Sequence, residues 1–153
     1  MTAALWFEDL RVGMREVSPS RTITEADIVA FAGLSGDYHP LHTDAEYARR
    51  RGHRGVIAHG LLVTAVASGL FSRTDLSRGL QDATVALVGI ETRLSAPTLA
   101  GDSLTVTAEV TELHPTRDGE RGIVAITRTI TNEREEVVQT MVSTTLIRRE
   151  PDA

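Results

Sequence analysis

The segment "VIAHGLLVTAVASGLFS", residues 56–72, constrains the fold more than any other part of the chain. It is apolar on nearly every side, interrupted only by His59, Thr64 and Ser68. A helix of this kind has no polar face to offer water, so it is predicted to be enclosed by the rest of the fold. It is too short to span a bilayer. From residue 83 onward the character changes. "ATVALVGIETRLSAP", "DSLTVTAEVTELH", "RGIVAITRTITNE" and "EVVQTMVSTTLIRR" are rich in Val, Ile and Thr, and "TLAGD", "PTRDGE" and "NEREE" separate them as turns. Leu104, Val106, Ala108 and Val110 alternate with Thr105, Thr107 and Glu109, the period of a strand with one covered face. The expectation is an α+β fold in which an antiparallel sheet wraps around the central apolar helix. "LWFEDLRVGMREVS" is expected to add an edge strand. Nothing resembles a linker or a repeat, so residues 1–153 are predicted to form a single domain.

Composition narrows the function classes. The net charge of −5 gives no general attraction to nucleic-acid phosphates. There is no cysteine, which excludes disulfides, a thiol nucleophile and a cysteine-ligated zinc. All 16 Lys+Arg residues are arginine, so a Schiff-base lysine is excluded as well. No basic stretch followed by an apolar run opens the sequence, so a cytoplasmic protein is expected, with no membrane partner.

"SRTITEADIVAFAGLSGD" predicts a helix with Thr24 as N-cap and Glu25 and Asp27 in the first turn. Ile28, Phe31, Ala32 and Leu34 mark its apolar face, and Gly33 and Gly36 close it. A polar loop follows. "SGDYHPLHTD", residues 35–44, places His39 and His42 beside Asp37 and Asp44 in a chain with five histidines. Three readings are open. In the first, the histidines only satisfy loop hydrogen bonds and Asp44 caps the short helix "DAEYARRRG". In the second, His39, His42, Asp44 and His59 supply metal ligands, although His-x-x-His in a loop is not a strong metal signature. In the third, Asp37 and His42 turn inward across Pro40 as an acid–base pair. Chemistry beside a carbonyl then needs an oxyanion stabiliser. Gly60, where the buried helix opens, offers backbone N–H groups and the positive end of the helix dipole.

"FAGLSGDYHPLHTDAEYA" followed by "GVIAHGLLVTAVASGL" resembles the MaoC-like family of (R)-specific enoyl-CoA hydratases and 3-hydroxyacyl dehydratases. The resemblance covers about residues 20–75 by motif and implies the hot-dog fold. It places Asp37 and His42 at the family's catalytic pair and Gly60 at its thioester-binding amide. It matches Ser68 to a pocket-lining serine near the aspartate, and His59 to a residue of structural character. His39 stands where many members carry Asn. The implied activity is reversible syn addition of water to a trans-2-enoyl thioester of CoA or an acyl carrier protein. The resemblance implies no cofactor, no metal and a homodimer with sites near the interface.

Arg49, Arg50, Arg51 and Arg54 form a local basic cluster that suits carrier phosphates; the plainer reading is a solvated helix end favoured by the dipole. Leu61, Val63, Ser68, Leu70 and Phe71 are candidate acyl-chain lining. Two rivals remain, an acyl-CoA thioesterase on the same fold and a non-catalytic acyl-CoA-binding subunit.

Overall fold

The structure, a computed structural model, describes residues 3–151. A turn of 3-10 helix, Phe7–Asp9, leads into two short strands, β1 (Arg15–Val17) and β2 (Arg21–Thr22). Four helices follow: α1 (Glu25–Ser35), α2 (Pro40–Thr43), α3 (Ala45–Arg50) and α4 (Gly60–Phe71). A fifth, α5 (Asp75–Gly79), precedes the long strands β3 (Thr84–Leu94), β4 (Ser103–Pro115), β5 (Arg121–Thr131) and β6 (Val137–Arg148). The sheet runs β1-β4-β5-β6-β3, with β2 also paired to β4, and every pairing is antiparallel. The expected edge strand is therefore β1.

The alternation read in β4 is realised: Leu104, Val106, Ala108 and Val110 are fully buried. They face α4, which contributes Leu62, Val63, Val66, Ala67 and Leu70 to the core together with Ile130, Val138 and Met141. Each such side chain stabilises the fold by about 1.5–3 kcal/mol through loss of apolar surface. A second cluster, built on Phe7, Phe71, Leu80, Val110, Val124 and Ile126, closes the far end of the helix. None of the helices among the described residues is long and apolar enough to cross a membrane.

The prediction of full enclosure fails on one face of α4. Leu61, Ala65 and Gly69, each four positions from the last, are exposed along the side turned away from the sheet. A second expectation fails in part: Ile28 and Ala32 of α1 are buried and Phe31 packs against the core, but Leu34 is 83% exposed. Gly33 lies inside α1. Gly36 alone ends it, in the left-handed conformation at φ 76° that spares a residue without Cβ.

Edge strand β3 behaves unlike its neighbours. Leu87, Val88, Ile90 and Leu94 are all exposed, so both faces of this strand carry uncovered apolar side chains.

Candidate functional site

Capping interactions hold the loop between α1 and α4 in place. Thr24 caps α1, as the sequence predicted, and Asp27 answers it to close a reciprocal capping box. Asp44 caps α3 by accepting from the Glu46 and Tyr47 amides. The short α2, which the sequence did not announce, begins with Pro40 at a position where its missing N–H costs nothing. Its N-cap is His39, whose Nδ1 accepts from the Leu41 amide at 3.2 Å. An asparagine side-chain oxygen would occupy the same role, so the departure at this position is a substitution of one cap acceptor for another.

Three hydrogen bonds then lace this loop to the strand-like stretch before α4. The Ile57 amide donates to Leu41 O at 3.0 Å. His42 Nδ1 lies 2.7 Å from Ile57 O, and His59 Nε2 lies 2.9 Å from Asp37 O. A carbonyl oxygen can only accept, so His42 carries a hydrogen on Nδ1, and Nε2 is the basic nitrogen of the neutral ring. His59, almost fully buried, stacks on the His42 ring at a centroid distance of 3.7 Å. It thus fixes both the Asp37 backbone and the plane of His42.

One Asp37 carboxylate oxygen and one ring nitrogen each of His42 and His59 all lie within 4.8 Å of one another. The Asp37 carboxylate is itself oriented by the His39 amide, which donates to Oδ1 at 3.1 Å. The four-ligand metal set considered from sequence is not assembled, because Asp44 and His39 are committed to helix caps. The remaining Asp37–His42–His59 group fits an ion poorly. Imidazole lone pairs lie in the ring plane, and rings stacked 23° from parallel aim them side by side and not at a common point.

Beside His42 lies a cavity of about 440 Å³, walled by Gly60 and Val63 of α4, Leu94 of β3, and Val138 and Gln139 of β6. Side chains cap the N-termini of α1, α2, α3 and α5. No side chain caps α4, whose positive dipole end stays open at Gly60. A Cβ on Gly60 would come within 2.6 Å of Leu94 Cδ1, so the bare glycine is what permits close approach there. Gln139, missed in the sequence, is fully buried in the cavity wall. Its amide donates to Thr64 Oγ1 at 2.6 Å while its Oε1 has no partner. A polar residue in the inward register of a strand was the available signal.

The other named residues lie elsewhere. Ser68 is two turns further along α4 and lines a second cavity, not the one beside His42. Of the candidate acyl-lining residues, Val63 walls the first cavity and Phe71 the second; Leu61 is exposed and Leu70 is core. Arg49, Arg50, Arg51 and Arg54 are all exposed and wall neither cavity, with Arg51 over the Tyr47 ring.

The model of the MaoC like domain matches residues 12–135 of the chain. The chain belongs to the MaoC-like family. It is 36% identical over 110 residues to the (R)-specific enoyl-CoA hydratase of Rhodospirillum rubrum, covering 72% of each protein. A crystal structure of the MaoC-like dehydratase from the same organism superposes with a TM-score of 0.87 at 33% identity, over 97% of this chain and 100% of that one. A Mycobacterium tuberculosis protein with a double hot-dog fold superposes with a TM-score of 0.82 at 22% identity, over 98% of this chain and 46% of that one. The MaoC-like chain has the hot-dog fold, and its relatives are hydro-lyases.

Proposed function

We propose that this MaoC-like protein catalyses reversible syn hydration of trans-2-enoyl thioesters, carried on CoA or an acyl carrier protein, to (R)-3-hydroxyacyl thioesters. One observation carries the reading. His42 is held by Ile57 O with Nε2 left free, near the Asp37 carboxylate, at the cavity where α4 begins uncapped. In the forward direction His42 Nε2 takes a proton from water as the water oxygen bonds to C3. The electron pair of the double bond moves to the thioester oxygen, which the Gly60 amide and the α4 dipole stabilise. The proton taken from water passes from His42 to the Asp37 carboxylate, which delivers it to C2, so the pair's proton count is unchanged after turnover. Both groups lie on one side of the substrate, which makes the addition syn. Dehydration reverses each step.

The exposed apolar edge β3 supports a homodimer, since a second copy pairing there would cover Leu87, Val88 and Ile90 and carry the sheet across both chains. Leu94 of that same strand lies over Gly60, which supports a site close to such an interface. The exposed arginines in the last turn of α3 and just after it remain a candidate for carrier phosphates.

Hydration of crotonyl-CoA tests the reading. Loss of the enoyl absorbance without release of free thiol supports it. Thiol release with the double bond intact would favour the thioesterase, and binding without either change would favour a non-catalytic subunit.

A further inference from the structure

The inward register of β5 is Val124, Ile126, Arg128, Ile130: a guanidinium stands where the pattern calls for an aliphatic side chain. Arg128 is 7% exposed, and among the described residues it has no carboxylate partner and no hydrogen bond. Arg121 and Arg149 also have a buried Nε without a hydrogen bond, but each is ion-paired, Arg121 through Nη2 to Asp118 and Arg149 through that Nε to Glu8. The Arg128 head lies over the face of Phe71, 4.0 Å from Cζ to the ring centroid. Such stacking covers the plane of the guanidinium and leaves its in-plane N–H donors open. Burial pushes the pKa of this group down to about 10, so it is still cationic at neutral pH. An isolated charge taken out of water is costly unless an anion meets it.

The space around Arg128 is a second cavity, of about 240 Å³. Ser68 and Ser77, with Thr84 and Thr145, add four hydroxyl side chains to its wall. A cavity shaped for an alkyl end alone has no use for these groups. The same three elements, α4, β3 and β6, wall both cavities, the first at Gly60 and Val63 of α4 and the second at Ser68 and Phe71. Along α4, Gly60 and Ser68 are separated by about 12 Å, the reach of a medium-length acyl chain.

We propose that this second cavity receives a carboxylate at the far end of the acyl chain, with Arg128 as its counter-ion, so that the preferred substrate is the monothioester of a medium-chain trans-2-enedioic acid. The proposal rests on the hydratase reading for the position of the thioester, whereas the anion site at Arg128 stands independently of it.

The test is titration calorimetry of the full chain with decanedioyl-CoA and decanoyl-CoA, which differ only at the far end and need no turnover. A charge-assisted hydrogen bond predicts roughly tenfold to a hundredfold tighter binding of the diacid thioester. Arg128→Met is expected to abolish that preference and Arg128→Lys to retain part of it. Ser68→Leu, which narrows the cavity with Arg128 intact, is expected to weaken the diacid thioester as well. Equal binding of the two ligands by the wild-type protein overturns the proposal. So does a preference that survives in Arg128→Met, or an Arg128→Met variant whose only change is its oligomeric state. Crotonyl-CoA hydration on the same preparation reports the hydratase reading separately: its absence, with the diacid preference intact, refutes that reading alone.

Discussion

The two ends of α4 present opposite chemistry on one apolar helix. At Gly60 the backbone is uncapped and bare, with the His42 imidazole and the Asp37 carboxylate brought from a loop about twenty residues upstream and the His59 imidazole from the position just before it. At Phe71 the functional group is a side chain, Arg128, delivered from a strand nearly sixty residues downstream. The near end needs electrostatics arranged in advance for charge that appears during reaction. The far end holds a standing charge, which calls for a standing partner. On the proposed reading, α4 serves at one end for transition-state stabilisation and at the other for reading a substrate's terminus.

The largest effect that separates the ends is expected from His42→Ala or Asp37→Ala. Loss of a general acid or base lowers kcat by roughly 10²–10⁴-fold, measured as crotonyl-CoA hydration, while circular dichroism shows the fold retained. Comparable turnover in both variants would remove the chemistry from this end of the helix. Gly60→Ala comes next. Its Cβ must displace Leu94 and crowds the thioester oxygen, and misplacement by about 1 Å costs on the order of 10²-fold in rate.

Smaller effects concern stability. His39→Ala removes the α2 cap and is expected to cost about 0.5–2 kcal/mol in denaturant unfolding, whereas His39→Asn restores an acceptor and is expected to cost far less. A large loss in His39→Asn would show that the imidazole does more than cap. At the far end, Arg128→Met is expected to leave the melting temperature unchanged or raised, because replacing an unpaired buried charge by an apolar side chain of similar volume removes a desolvation cost. Ile130→Ala, one inward position along, is expected to cost about 2–5 kcal/mol. Strong destabilisation by Arg128→Met would mean that the charge supports the core.

The near end was legible because its determinants are local. The Thr24–Asp27 box, the Asp44 cap and the β4 alternation are patterns within a few residues, and the loop and Gly60 are close in sequence. Short α2 escaped notice because a four-residue helix has no periodicity to read. The stacking of His59 on His42, and the pairing of Gln139 with Thr64 across 75 positions, depend on the folded chain. The exposed stripe Leu61–Ala65–Gly69 misled the reading in the other direction, since apolar composition does not say which face the sheet covers. Arg128 passed unremarked within "RGIVAITRTITNE", because the absence of a carboxylate partner depends on the folded chain.

Hydration of crotonyl-CoA in deuterium oxide, with the product analysed by NMR, tests the account at its centre. Addition by His42 and Asp37 from one side predicts a single deuterium at C2 on the same face as the new hydroxyl group at C3. Deuterium on the opposite face, or recovery of unsaturated acid and free thiol, would contradict it.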